Sequence, residues 1–323
     1  MLPQEKDKKR LNRFRLWVSL GAVAFMTVVP LETPFAASAK QKGFASAEEA
    51  VKAAIAAAKN NDDNEMLAIF GADAKDLISS GDAVADKTRR GRFLKAYHEK
   101  NQLVEEGKKM VLVIGQQNWP FPIPVVKRGN GWVFDTEQGR EEILNRRIGR
   151  NELSTIQIML AVVDAQREYT MKDVDGDGLL EYAQTFRSDP GKKNGLYWET
   201  KPGEALSPLG PIVAQARSEG YTRGTGTKSG DTSSPYHGYY FRLLKAQGRN
   251  APGGAYDYVV KGNMIGGFAL VAHPAEYGNS GVMSFIVNHD GVVYQKDLGE
   301  NTEKSAQRIS RFDPDKRWTK VKE

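Results

Sequence analysis

In the first half of the chain, apolar positions recur at helical spacing and then change period. Ser46-Ala47-Glu48-Glu49 has the form of a capping box, so a helix starts there. Val51, Ile55 and Ala58 share one face of it. Asp62 and Asp63 interrupt the pattern, and Met66, Leu67, Phe70, Leu77 and Ile78 make a second helical stripe. Ser79-Ser80-Gly81-Asp82 reads as a turn. A third helix is expected over residues 84–101, with Phe93, Leu94 and Tyr97 inward and His98 at the surface. Residues 110–114 then form a short apolar run suited to a buried strand, and residues 119–124 alternate bulky side chains with proline, which suits a sheet edge. Val125-Val126-Lys127, Arg128-Gly129-Asn130-Gly131 and Trp132-Val133-Phe134-Asp135 read as strand, turn, strand. Helices followed by a curved hairpin are the layout of small cone-shaped α+β domains that enclose a pocket. Trp119, Phe121, Trp132 and Phe134 are the aromatics placed to line one, although aromatics at strand spacing are more often plain core.

The second half begins with a helix over residues 140–169. Ile143, Leu144 and Ile148 end one amphipathic piece at Gly149, and Asn151 or Ser154 caps the next. Ile156, Leu160, Val163 and Arg167 then follow one face. Residues 181–187 suit one or two helical turns before Ser188-Asp189-Pro190-Gly191 stops them. Gly, Pro and Ser dominate residues 190–235, which predicts a long irregular stretch. Within it, residues 224–230 only superficially suggest a phosphate loop: no strand leads in, and Lys228 does not follow a glycine. Strands are expected over residues 239–244, 256–260, 268–273, 282–288 and 292–296, the last two joined as a hairpin by Asn288-His289-Asp290-Gly291. A short helix is expected over residues 304–309, with Phe312 and Trp318 as anchors. The expected fold class is α+β: N-terminal helices with a small curved sheet, then a long helix packed on an antiparallel meander. The expected domains are residues 40–149 and 150–323.

The start of the chain reads as an address. Lys6, Lys8, Lys9, Arg10, Arg13 and Arg15 precede an apolar run of about 14 residues, and Ala37-Ser38-Ala39 is an A-x-A cleavage pattern. Residues 1–39 are therefore expected to be a signal peptide, with the mature chain starting at Lys40 and lying in the periplasm or outside the cell. The run is shorter than the roughly 20 residues of a membrane span, so none is expected after cleavage. Cleavage removes six basic and three acidic residues, which lowers the +6 of the whole chain to +3. That balance gives no support to nucleic-acid binding, and the basic cluster over residues 87–92 reads as a solvated helix face. The chain has no cysteine, so an exported form is held by its core rather than by disulfides.

The densest chemistry lies in Asp173-Val174-Asp175-Gly176-Asp177-Gly178-Leu179-Leu180-Glu181. Carboxylates at i, i+2 and i+4, followed by glycine, suit a hard cation that takes oxygen ligands, namely Ca²⁺. Asp173, Asp175, Asp177, the Leu179 carbonyl, Glu181 and Gln184 fall at EF-hand positions 1, 3, 5, 7, 9 and 12. Gln184 stands where a bidentate Glu is expected, so weak affinity follows. The alternative is a solvated acidic turn.

Several strings resemble the exported bacterial family filed as domain of unknown function 2950. One group is Ala165-Gln166-Arg167-Glu168-Tyr169, residues 175–184 and Gly195-Leu196-Tyr197-Trp198. A second comprises residues 236–244, Ala255-Tyr256-Asp257-Tyr258 and residues 281–299, and Ser79-Ser80-Gly81-Asp82 joins them. The resemblance implies an exported protein and supplies no activity. The helix ending in Ala-Gln-x-x-Tyr, with the following strand and closing hairpin, is also similar to the head domain of type IV pilins and pseudopilins.

Three functions are expected from different classes. The first is a non-enzymatic envelope protein with a calcium-type loop, a binding or assembly module for another envelope protein or a polymer. The second is a small-molecule or lipid carrier, which an apolar pocket in the N-terminal half would favour. The third is an exported hydrolase. It lacks a nucleophile motif, and its candidates are only His98, His237, His273, His289 and the acidic loop.

Overall fold

A computed structural model describes residues 41–174, 176–221 and 234–322. The expected signal peptide and cleavage site, Asp175 and the 224–230 loop lie outside the described residues.

The capping box forms as read. Ser46 accepts the Glu49 N–H at 3.2 Å, Glu49 reaches back to the Ala45 N–H, and α1 runs Ala47–Asn60. The second stripe is three pieces rather than one helix. Asp62 caps α2 (Asp63–Phe70), Gly71 ends it, and a 3₁₀ turn (Ala72–Ala74) leads into α3 (Lys75–Ile78). Asp82 caps α4 (Ala83–Glu99). That helix stops two residues short of expectation, because Asn101 opens an unexpected strand, β1 (Asn101–Glu106). β1 pairs along its whole length with β2 (Lys109–Ile114), whose other side takes β3 (Trp119–Pro120) at one end and β4 (Val125–Arg128) at the other. β5 (Gly131–Phe134) closes the predicted hairpin in the register Arg128↔Gly131. The apolar face of this sheet packs on α1 and α2, and Ala50, Ile69, Ile114, Val125 and Phe134 are among its buried residues.

α5 (Thr136–Tyr169) is one uninterrupted helix of 34 residues. The expected break at Gly149 is absent, and Asn151 is a buried helix-interior residue rather than a cap. Contacts remote in sequence hold this stretch straight. Asn151 donates to the Ser280 carbonyl at 2.9 Å, and the Glu152 carboxylate accepts the N–H groups of Val282 and Met283 at 3.0 and 2.9 Å. The buried Arg147 donates to the Asp76 and Leu77 carbonyls at 2.6 and 2.7 Å and to the Asn279 side chain. α5 thus serves two cores: Ile143 packs on the first, and Met159, Val162 and Val163 lie inside the second.

The second core sits under a five-stranded antiparallel meander: β6 (Tyr239–Leu244), β11 (Ala269–Pro274), β12 (Met283–Asn288), β13 (Tyr294–Asp297) and β14 (Thr319–Lys320), adjacent in that order. β12 and β13 pair from Met283↔Asp297 to Ile286↔Tyr294, so the hairpin forms with a longer connection than a two-residue turn. The strand expected over residues 256–260 is instead two short bridges outside the meander. β8 (Tyr256–Asp257) pairs with β7 (Ala246–Gln247), and β9 (Val259–Val260) pairs with β10 (Asn263–Met264). The long irregular stretch contains α6 (Gly210–Ser218), with proline in its first turn where the missing N–H costs nothing. A last helix, α7 (Thr302–Gln307), lies close to its expected place.

Residues 181–187 are not helical. The fully buried Gln166 explains why: its carboxamide donates to the Ala183 carbonyl at 2.8 Å and accepts the Ala183 N–H at 2.9 Å. A side chain of α5 thereby supplies Ala183 with both bonds that a helical turn would have made, and the segment takes an irregular course with bends over residues 184–186.

Candidate functional site

The N-terminal helices and sheet enclose a pocket of about 740 Å³, within the roughly 300–1,000 Å³ usual for small-molecule sites. Its walls follow from the amphipathic patterns. α1 contributes Val51, Ala54 and Ile55, α4 contributes Phe93 and Ala96, and β2 contributes Leu112 and Ile114. Trp119, Phe121 and Phe134 line it, as the strand spacing allowed. Trp132 is not among the lining residues; its backbone pairs with Phe44 at 2.8 and 2.9 Å.

The rim has a different chemistry. Six arginines line the pocket, Arg89, Arg90 and Arg92 from α4 and Arg146, Arg147 and Arg150 from α5, of which Arg147 is buried, against the two carboxylates Asp86 and Glu99. Asp86 is buried, pairs with Arg89 and accepts the Ser80 N–H and hydroxyl at 2.9 and 2.8 Å. Arg90 pairs with Asp63 at 3.0 Å. Arg146 pairs with Glu142 and places its guanidinium 5.2 Å from the Trp119 ring centre. Arg147 is bound to backbone carbonyls; its burial, and then the nearby Arg89 charge, lower its pKa to about 10, so it stays charged at neutral pH. Arg92 and Arg150 make no salt bridge among the described residues. Burial, then repulsion from Arg92, Arg89 and Arg146, holds Arg150 below the ordinary arginine range.

The sequence pattern assigns residues 87–92 to a solvated face and gives the Arg146-Arg147-x-x-Arg150 spacing no role. Each run is ordinary alone. Their significance arises when the packing of α4 and α5 brings them to one opening.

The acidic loop closes largely on itself. The Asp173 carboxylate accepts the N–H groups of Gly176, Asp177 and Gly178 at 2.7, 3.2 and 3.0 Å, and Asp177 accepts the Leu179 N–H at 2.9 Å. Gly176 and Gly178 have φ of 81° and 88°, the left-handed region in which glycine carries no Cβ penalty. Glu181 accepts the Met264 N–H at 3.0 Å. Gln184 is turned to other partners: its oxygen receives the Lys245 ammonium at 3.0 Å and its nitrogen donates to the Gly262 carbonyl at 2.6 Å. Among the described residues, no three His, Cys, Asp or Glu side chains are grouped to hold a metal.

The histidines lie in separate surroundings. His98 is exposed on α4, His237 is 3.0 Å from Glu219, His273 contacts the Pro274 carbonyl at 3.1 Å, and His289 follows β12 with a buried Nδ1. No described helix is long and apolar enough to cross a membrane.

A family model described as a protein of unknown function, DUF2950, matches residues 41–321. The chain belongs to that family. No curated protein and no solved structure matches it, so the likeness to pilin heads rests on the sequence strings alone. In this DUF2950 protein, the Ser79-Ser80-Gly81-Asp82 string lies where the two cores meet. The buried Asp82 receives the Tyr221 hydroxyl at 2.8 Å and the Gly238 N–H at 2.9 Å, and Asn279 donates to the Ser79 carbonyl at 2.9 Å. The string over residues 281–299 is β12, β13 and their connection.

Proposed function

We propose that the protein is an exported envelope protein whose N-terminal half binds a predominantly apolar small molecule, as a carrier or sensor rather than as an enzyme. The observation that carries this is the pocket of about 740 Å³ walled by α1, α4 and β2. A core of this size would otherwise fill such a volume, since interiors pack with few voids larger than a water molecule. Binding of Nile red, a neutral dye that brightens in apolar surroundings, tests it. The dye should bind at one equivalent. Ala54→Phe, which places a ring in the cavity, should abolish binding without lowering the melting temperature. Absence of saturable dye binding refutes the proposal.

Loop residues 173–181 support a second, separate proposal, that the loop takes Ca²⁺ weakly. The support is the backbone curl at Gly176 and Gly178, with Asp173 and Asp177 on its exposed side. Asp173, Asp175, Asp177, the Leu179 carbonyl and Glu181 would hold the ion. Its charge would offset repulsion among the clustered carboxylates. Gln184, at the twelfth position, would join them by exchanging its bonds to Lys245 and Gly262 for the ion.

A further inference from the structure

The pocket joins an apolar interior to a cationic mouth, and each half restricts what fits. The interior offers aliphatic and aromatic surface from Ile55, Phe93, Ile114 and Phe121, which rewards a hydrocarbon body. At the mouth, Arg89 and Arg92 stand three residues apart on α4, and Arg146 and Arg150 stand four apart on α5, so each helix presents its pair on one face. Carboxylates account for Arg89, Arg90 and Arg146, which leaves Arg92 and Arg150 without salt-bridge partners among the described residues. Glu99 is the remaining acid on the rim, and it pairs with no cation among the described residues. Like charges gathered at one opening repel, and guanidinium groups present donors in a fixed fork that matches carboxylate and phosphate oxygens. An oxyanion between the two helices offsets that repulsion and uses those donors.

Resting on the pocket reading above, we infer that the ligand is a single-chain amphipath with an oxyanion head, a carboxylate or a phosphate, its chain in the cavity and its head between Arg92 and Arg150. Arg89 and Arg146 flank the head. Their existing partners keep them in place whether or not the pocket is filled. The Arg146 guanidinium over Trp119 marks the boundary where the apolar wall gives way to the charged rim.

The test is displacement of Nile red from the full chain by four probes of equal chain length, kept below their micelle concentrations: hexadecanoate, hexadecyl phosphate, hexadecan-1-ol and hexadecyltrimethylammonium. At least one of the two anions should displace the dye at roughly tenfold lower concentration than the alcohol, the scale of one charge-assisted contact. The cation should be weakest, and added salt should narrow the gap. Comparison of the two anions assigns the head. The double variant Arg92→Gln/Arg150→Gln should bring anion and alcohol within about twofold while dye affinity is unchanged. Arg150→Lys, which keeps the charge but loses the fork, should fall between. Arg92 is exposed and Arg150 only partly enclosed at the rim, and an unchanged melting temperature of the double variant shows that folding is not at stake. Equal displacement by alcohol and anions overturns the head-group inference and leaves the pocket reading standing. Failure of both dye and alcohol to bind removes the pocket reading and this inference with it.

Discussion

The buried carboxamide of Gln166 should be among the most sensitive single groups in the second core. Its side chain is fully buried and forms a reciprocal pair with the Ala183 backbone, at 2.8 and 2.9 Å. Gln166→Leu keeps the approximate volume and removes both partners. The Ala183 N–H and C=O are then left unsatisfied in a segment that packs Ala183 and Phe186 into the core. Each stranded buried group costs about 1–3 kcal/mol, so the loss should be about 2–5 kcal/mol after the apolar gain of leucine is set against it. For a chain of this length that is a fall in melting temperature of roughly 3–8 °C. Gln157→Leu, on the exposed face of the same helix, is the control and should stay within about 0.5 kcal/mol. Urea unfolding followed by tryptophan fluorescence measures both. A loss below about 1 kcal/mol for Gln166→Leu would show that residues 181–187 find their own hydrogen bonds, and would refute the reason given for their non-helical course.

Three further outcomes are expected. Gly238 has φ of 80°, and a Cβ there would lie 2.6 Å from the Asn151 amide, so Gly238→Ala should cost at least about 2 kcal/mol, and Asn151→Ala should relieve part of it in a double-mutant cycle. Burial, and then neighbouring charges such as Asp82, Glu219 and Glu152, raises the phenol pKa values of Tyr221, Tyr236, Tyr239 and Tyr258. The unfolded chain therefore loses these protons first: their contribution is full below about pH 10 and is lost as pH rises from there toward the folded values. Absorbance at alkaline pH should show these four among the 12 tyrosines ionising only when the chain unfolds, and early ionisation of all 12 would contradict this. Millimolar calcium should raise the melting temperature relative to chelator, and Asp177→Ala should remove the increment. Identical curves would leave Asp173 as the acceptor of a self-closed turn.

Features set by neighbouring residues are legible in the chain alone: the Ser46–Glu49 cap, the β4–β5 hairpin around Gly129 and Asn130, and four of the five meander strands, β6, β11, β12 and β13, but not the edge strand β14. Features set by distant partners are not. Gly149 and Asn151 resemble a helix break because their local propensities are poor, yet Ser280 and Val282, about 130 residues away, hold the helix through them. Residues 181–187 have helical spacing, and one glutamine on α5 overrides it. The start of β1 looks like the tail of a helix because strand formation there depends on pairing with β2. The aromatics of the pocket are visible as a group, Trp132 aside, whereas its arginine rim joins two runs more than 50 residues apart that only tertiary packing brings together.

The pocket itself is tested most directly by location. Hexadecanoic acid bearing a diazirine near its methyl end, photolysed with the full chain and followed by peptide mass spectrometry, reports which residues surround the buried chain. The adducts should fall on α1, α4 and β2, at positions such as Ile55, Phe93 and Ile114, and should vanish in Ala54→Phe. Adducts scattered over the meander, or unchanged in the filled variant, would contradict the account.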